Sequence, residues 1–301
     1  MRGITTTCLA LLAGAGAAGA QNSTACAEGL YIVVARGTFE AKGAGVTGVL
    51  ANNVAGQVKG STVVPLDYPA SFANPDYITS VSDGVAAMQG VLGKYTADCP
   101  DGKVAVMGYS QGAQVSMDTI CGGSGGTFDS AAPLAANKVE NNLVAIVLFG
   151  DPTHRANTTY DKGTSINNGA FQRGDASVQV CTKYADRLVS YCDTGDVYCD
   201  LGADGKVHRS YVQKYGDDTV KYIVAKYNAA VKNGGGNSTA IGTATATTAA
   251  PTTSGSATVS GTARGTAAPL PTTVAASGPV VRASLYLGVP LAMLAMFQAL
   301  W

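Results

Sequence analysis

Gly108-Tyr109-Ser110-Gln111-Gly112 is a G-x-S-x-G pattern, and it follows the short apolar run Val104–Met107 directly. A serine hydroxyl becomes a nucleophile when a strand-to-helix turn holds it exposed, and glycines on both sides relieve the crowding of so tight a turn. The backbone N–H of Gln111 would then open a helix, where it is a ready donor for a developing oxyanion. Such a serine needs a base, and the base needs an orienting carboxylate. The chain has 2 histidines. His208 lies beyond the last apolar run and just before a final helical stretch, which suits the order serine, acid, histidine. His154 is the rival, in the unusual order or with Asp151 close by. The acid candidates are Asp196, Asp193, Asp200 and Asp151. Asp193 and Asp196 sit between Cys192 and Cys199, and a bond between those cysteines would close a loop that fixes Asp196 within reach of His208.

Those residues need a frame. Continuous apolar runs read as buried strands of a parallel sheet, and four stand out: Leu30–Ala35, Val104–Met107, Leu143–Phe149 and Leu188–Tyr191. Thr62–Leu66 is a weaker fifth. Helical stretches fall at Gly45–Val58, Val81–Tyr95, Gln111–Ile120 and within Tyr211–Val231. Alternation of the two kinds predicts an α/β fold, a three-layer α/β/α sandwich around a five-stranded parallel sheet. In such sheets the site forms at the carboxyl ends of the strands.

Composition sets the borders of that domain. Charged residues make up 13 % of the 301, and glycine accounts for 38. Only Arg2, Arg264 and Arg282 among the charged residues lie outside 21–233. The body therefore carries 17 basic against 20 acidic residues, too acidic for a nucleic-acid face. Residues 1–20 hold one basic residue, an apolar stretch and Ala18-Gly19-Ala20, the layout of a secretory signal peptide. Of the 7 cysteines, Cys8 would leave with it. Cys26, Cys99, Cys121, Cys181, Cys192 and Cys199 remain, an even set that predicts three disulfides in an oxidising compartment. None has zinc-site spacing, and no metal or organic cofactor is expected. Asn22, Asn157 and Asn237 head glycosylation sequons.

Residues 234–277 are Ser, Thr, Ala, Gly and Pro with one charge, a composition that predicts a disordered stalk. Residues 278–301 end in an uncharged stretch from Leu285 to Trp301. As a helix it would be about 26 Å long, short of the roughly 30 Å of a bilayer core. With small residues at Ala275-Ala276-Ser277-Gly278 and a spacer behind them, this reads as a glycosylphosphatidylinositol attachment signal that is removed. Membrane contact would then run through the lipid alone.

Taken together, Arg36-Gly37-Thr38 after the first strand, Cys99-Pro100-Asp101, the Ser110 pattern, Gly150-Asp151-Pro152 and the Cys192–Cys199 loop followed by His208 resemble the fungal cutinase and acetylxylan esterase family. The resemblance covers about residues 26–232. It implies a small, lidless serine-esterase α/β-hydrolase with Ser110 as nucleophile, His208 as base and Asp196 as orienting acid. It further implies Thr38 and Gln111 as oxyanion donors, and disulfides Cys26–Cys99, Cys121–Cys181 and Cys192–Cys199. Cutinases in the resemblance carry an apolar segment between acid and histidine, whereas residues 200–207 here are largely polar. The expected substrate is therefore a short-acyl ester of polysaccharide, acted on by a secreted monomer. A cutin-type polyester is the alternative, and a non-catalytic wall adhesin or carbohydrate-binding module is a third reading.

Overall fold

The computed structural model describes residues 25–128 and 131–234. The expected signal peptide, stalk and lipid-attachment signal lie outside the described residues.

Among the described residues six parallel strands form one sheet: β1 (Leu30–Ala35), β2 (Thr62–Pro65), β3 (Lys103–Tyr109), β4 (Leu143–Phe149), β5 (Asp161–Gly163) and β6 (Leu188–Cys192). Their order is β2-β1-β3-β4-β6-β5. The expected count of five is corrected to six by β5. That strand is the tripeptide Asp161-Lys162-Gly163 at an exposed edge, so it has no apolar run to announce it.

Side chains of a strand alternate between faces, and the core divides accordingly. Tyr31, Val33 and Ala35 of β1 face one apolar cluster, while Leu30, Ile32 and Val34 face the other. The first cluster is covered by α2 (Tyr77–Asp98), α3 (Gln111–Cys121), α4 (Ala136–Asn142) and α5 (Asp175–Thr182), with Val85, Met88, Ile120 and Val139 pointing inward. The second is covered by α1 (Gly48–Gln57) and α7 (Tyr211–Gly234), through Leu50, Val54, Val220 and Ile223. A short α6 (Gly205–His208) precedes α7. The layers are the expected α/β/α sandwich. Helix α2 starts four residues earlier than the apolar pattern suggests, because Asp76 caps it by accepting from Thr79 N at 3.0 Å.

Three disulfides join Cys26 to Cys99, Cys121 to Cys181 and Cys192 to Cys199. The first ties the start of β1 to the end of α2, and the second ties α3 to α5. The third closes the loop after β6.

Candidate active site

Strand β3 is central, paired with β1 on one side and β4 on the other, and its end carries Ser110. The turn there is sharp: Ser110 has φ 52° and ψ −119°, and α3 begins at the next residue. Its N–H donates to Phe149 O at 2.9 Å, and its carbonyl accepts from Ala113 N at 2.9 Å. The flanking glycines are required by neighbours rather than by their own dihedrals. A Cβ on Gly108 would stand 2.6 Å from Gly112 O, and one on Gly112 would stand 2.1 Å from Ala35 O.

His208 Nε2 lies 3.0 Å from Ser110 Oγ. On its other side His208 Nδ1 lies 2.8 Å from Asp196 Oδ2 and 3.1 Å from Oδ1. The three side chains thus come from β3, the loop after β6 and α6, and they touch in series. The Cys192–Cys199 bridge folds that loop back so that Asp196 is fully buried. Asp196 Oδ1 accepts from the N–H of Tyr198 at 2.7 Å and of Cys199 at 3.1 Å. Oδ2 accepts from the Tyr211 hydroxyl at 2.7 Å. Burial pushes the carboxyl pKa up, but the bond and charge of His208, then Tyr211 and the Tyr198 N–H, outweigh it. The net shift is below the ordinary carboxylate value, so the group next to the imidazole is an anion.

The turn after β1, which contains Thr38, abuts the start of α3. Gly112 packs on Ala35 O and Gly37 packs on the Tyr109 ring. Buried Arg36 holds this region by donating to four carbonyls: Glu40 at 2.9 Å, Leu66 at 3.3 Å, Tyr68 at 2.6 Å and Pro69 at 3.2 Å. The Glu40 carboxylate accepts from Gly37 N at 2.6 Å and Val46 N at 2.7 Å. The Gln111 side chain is equally fixed, donating to Ser71 O and accepting from Ser80 Oγ, each at 2.9 Å. Thr38 and Gln111 therefore sit on two segments that are locked and adjoining.

The rival residues are engaged elsewhere. His154 is buried with Nδ1 3.8 Å from Asp161. Asp151 accepts from Thr153 N and Oγ1, both at 2.8 Å. Asp193 accepts from Lys214 at 2.8 Å and Tyr215 at 2.7 Å, and Asp200 accepts from Ser165, Asn167 and Gly195 N. Among the described residues no group of three His, Cys, Asp or Glu is placed to hold a metal ion.

No pattern in the sequence announces three residues that shape this site: Arg36, Gly150, where a Cβ would stand 2.8 Å from His208 Cε1, and Tyr211, the first residue of α7. Only an arginine flanked by apolar strand residues and glycine hinted that Arg36 is buried.

A family model described as Cutinase matches residues 26–227. This chain belongs to the cutinase family. Acetylxylan esterase 2 of Talaromyces purpureogenus is 30 % identical over 205 residues, covering 65 % of this chain and 86 % of that protein. Acetylxylan esterase of Hypocrea jecorina is 32 % identical over 227 residues, covering 72 % and 74 %. The solved catalytic core domain of acetyl xylan esterase from Trichoderma reesei superposes with a TM-score of 0.62 at 30 % identity, over 67 % of this chain and all of that one.

Proposed function

We propose that this carboxylic ester hydrolase of the cutinase family is a secreted serine esterase that removes short acyl groups from polysaccharide. The observation that carries the reading is the continuous line Ser110 Oγ, His208 Nε2, His208 Nδ1, Asp196 Oδ2, with links of 3.0 and 2.8 Å. His208 takes the hydroxyl proton as Ser110 attacks the ester carbonyl. Asp196 remains a carboxylate and stabilises the imidazolium. The N–H groups of Thr38 and Gln111 receive the oxyanion. His208 then protonates the leaving alcohol, and in the second half it activates the water that frees the acyl group.

The preference for short acyl groups is supported by the segment between Asp196 and His208. Asp200 is tied down by Ser165, Asn167 and Gly195, so the segment is held by polar bonds; exposed Leu201 is its main apolar surface, leaving few methylene contacts, each worth about 0.8 kcal/mol. The polyester reading draws on Phe39, whose exposed ring follows Thr38 directly. Secretion is supported by the three disulfides. Display on a stalk through a lipid anchor rests on the sequence of residues 234–301.

The test is Ser110→Ala with p-nitrophenyl acetate, where turnover should fall by about 10⁵–10⁶. A variant keeping a tenth of the activity would refute the nucleophile. An acyl-chain series beside acetate release from acetylated xylan decides the substrate. Rates that climb from acetate to butyrate and beyond would favour the polyester.

A further inference from the structure

The Tyr211 hydroxyl has three polar neighbours, the Asp193 N–H, Asp196 Oδ2 and, at 3.3 Å, the disulfide sulfur of Cys199, a weak acceptor that competes poorly with a carboxylate for the phenol proton. The hydroxyl accepts from the Asp193 N–H at 3.0 Å, since a peptide N–H can only donate. It lies 2.7 Å from Asp196 Oδ2, an ionised oxygen that can only accept. The phenol proton is therefore aimed at the same oxygen that receives His208 Nδ1–H at 2.8 Å. We propose that Tyr211 is a positioning residue of the esterase, setting through Asp196 how strongly His208 holds the proton it takes from Ser110.

The physical argument is competition for one lone-pair-bearing oxygen. Each donor to a carboxylate draws off negative charge and leaves less for the next donor. Oδ1 accepts from the Tyr198 and Cys199 amides and only at 3.1 Å from His208 Nδ1, so Oδ2, with the shorter imidazole bond of 2.8 Å, is the tunable oxygen. There Tyr211 and His208 meet on the carboxylate of Asp196, which is wholly buried. Burial and the nearby Asp196 push the Tyr211 phenol far above its ordinary pKa, so it stays a donor throughout the working range. The ring itself cannot shift easily. It is fully buried, stacked with Phe149 at 6.1 Å and Tyr215 at 6.3 Å. Tyr211 is also only three residues beyond His208, at the first position of α7.

The other charged and titratable groups facing this cluster are few. Asp193 is paired with Lys214 at 2.8 Å and bonded to Tyr215. Tyr109 donates to His208 O at 3.1 Å, and the Tyr198 ring stands edge-on to His208 at 4.6 Å. Arg209 and Glu40 act on Tyr109 at longer range. Lys214, whose pKa is raised by its bond to Asp193, stays charged across the acid limb of an esterase profile.

The experiment measures kcat and KM for p-nitrophenyl acetate against pH in the whole protein, with two replacements at position 211. Tyr211→Phe removes the donor. The acid limb of the profile, set by protonation of the base, should move up by about half a unit. At the plateau kcat should fall roughly tenfold with KM within about twofold, as for a loss felt mainly in the transition state. Site-specific 3-fluorotyrosine keeps ring and hydroxyl but makes the phenol a stronger acid and donor, so the limb should move down. An acid limb unmoved in the fluorotyrosine protein overturns the proposal, even if Tyr211→Phe fails to fold. An unmoved limb with reduced activity in Tyr211→Phe also overturns it, since a structural role alone would lower activity without shifting the limb. The proposal rests on the esterase reading. Failure of that reading would instead appear as activity surviving in Ser110→Ala.

Discussion

Gly150 is the space into which the His208 imidazole fits. A Cβ at position 150 would stand 2.8 Å from His208 Cε1 and 2.9 Å from Nδ1, and the backbone there has φ +59°. Both facts disfavour any side chain just past the end of β4. Gly150→Ala should push the ring off the line between Ser110 and Asp196. A shift of about 1 Å costs on the order of 10²-fold in rate, read as kcat for p-nitrophenyl acetate. The strained backbone adds about 1–2 kcal/mol of lost stability, read by urea unfolding. An active, stable Gly150→Ala protein would contradict the packing.

Ser110 occupies a backbone conformation that favours glycine, with φ 52°. Ser110→Gly should therefore be inactive yet more stable than the parent by about 1 kcal/mol. The checking measurement is the denaturant midpoint of both proteins.

The Cys192–Cys199 bridge closes an eight-residue loop around Asp196. Replacing both cysteines with serine should cost about 2.5 kcal/mol by the chain-entropy relation. Activity should fall further than that loss of folded protein explains, because the freed loop no longer holds the carboxylate against His208. Comparing kcat per folded molecule, from active-site titration, separates the two effects.

Asp196 has a folded-state pKa below its unfolded value, so the sign of its pH linkage is fixed. Its contribution to stability is present above the ordinary carboxylate pKa of about 4 and is lost as pH falls through the lower folded value. Unfolding free energies of the parent and of Asp196→Asn, measured from pH 7 downward, should converge below about pH 4. A constant gap down to pH 2 would mean that the carboxylate is not held as an anion.

Much of this architecture was legible in the sequence because burial writes itself as apolar runs. Leu30–Ala35 and Leu143–Phe149 are strands over the very residues read from the pattern. Helix α4, Ala-Asn-Lys-Val-Glu-Asn-Asn, was not legible, since a short polar helix buries little beyond Val139 and Asn142. Ser110 was visible because glycine spacing encodes a backbone constraint, and His208 because only two histidines compete. Composition alone leaves Asp196 one of four carboxylates; the Cys192–Cys199 spacing and the family resemblance single it out, and its 2.8 Å contact with His208 agrees. The roles of Arg36, Gly150 and Tyr211 depend on partners 15 to 58 positions away, as in Tyr211 with Asp196, Arg36 with Leu66 and Gly150 with His208. No local pattern records such distances.

The placement of the strands has one more consequence. Ser110 hangs from a strand clamped on both sides, whereas Asp196 follows β6, whose outer neighbour β5 is three residues long. Asp193 in the same loop accepts from Thr164, just past β5. Warming should loosen that thin margin first. Hydrolysis would then fade at temperatures where the bulk of the protein still gives its native circular-dichroism signal, and it would return on cooling.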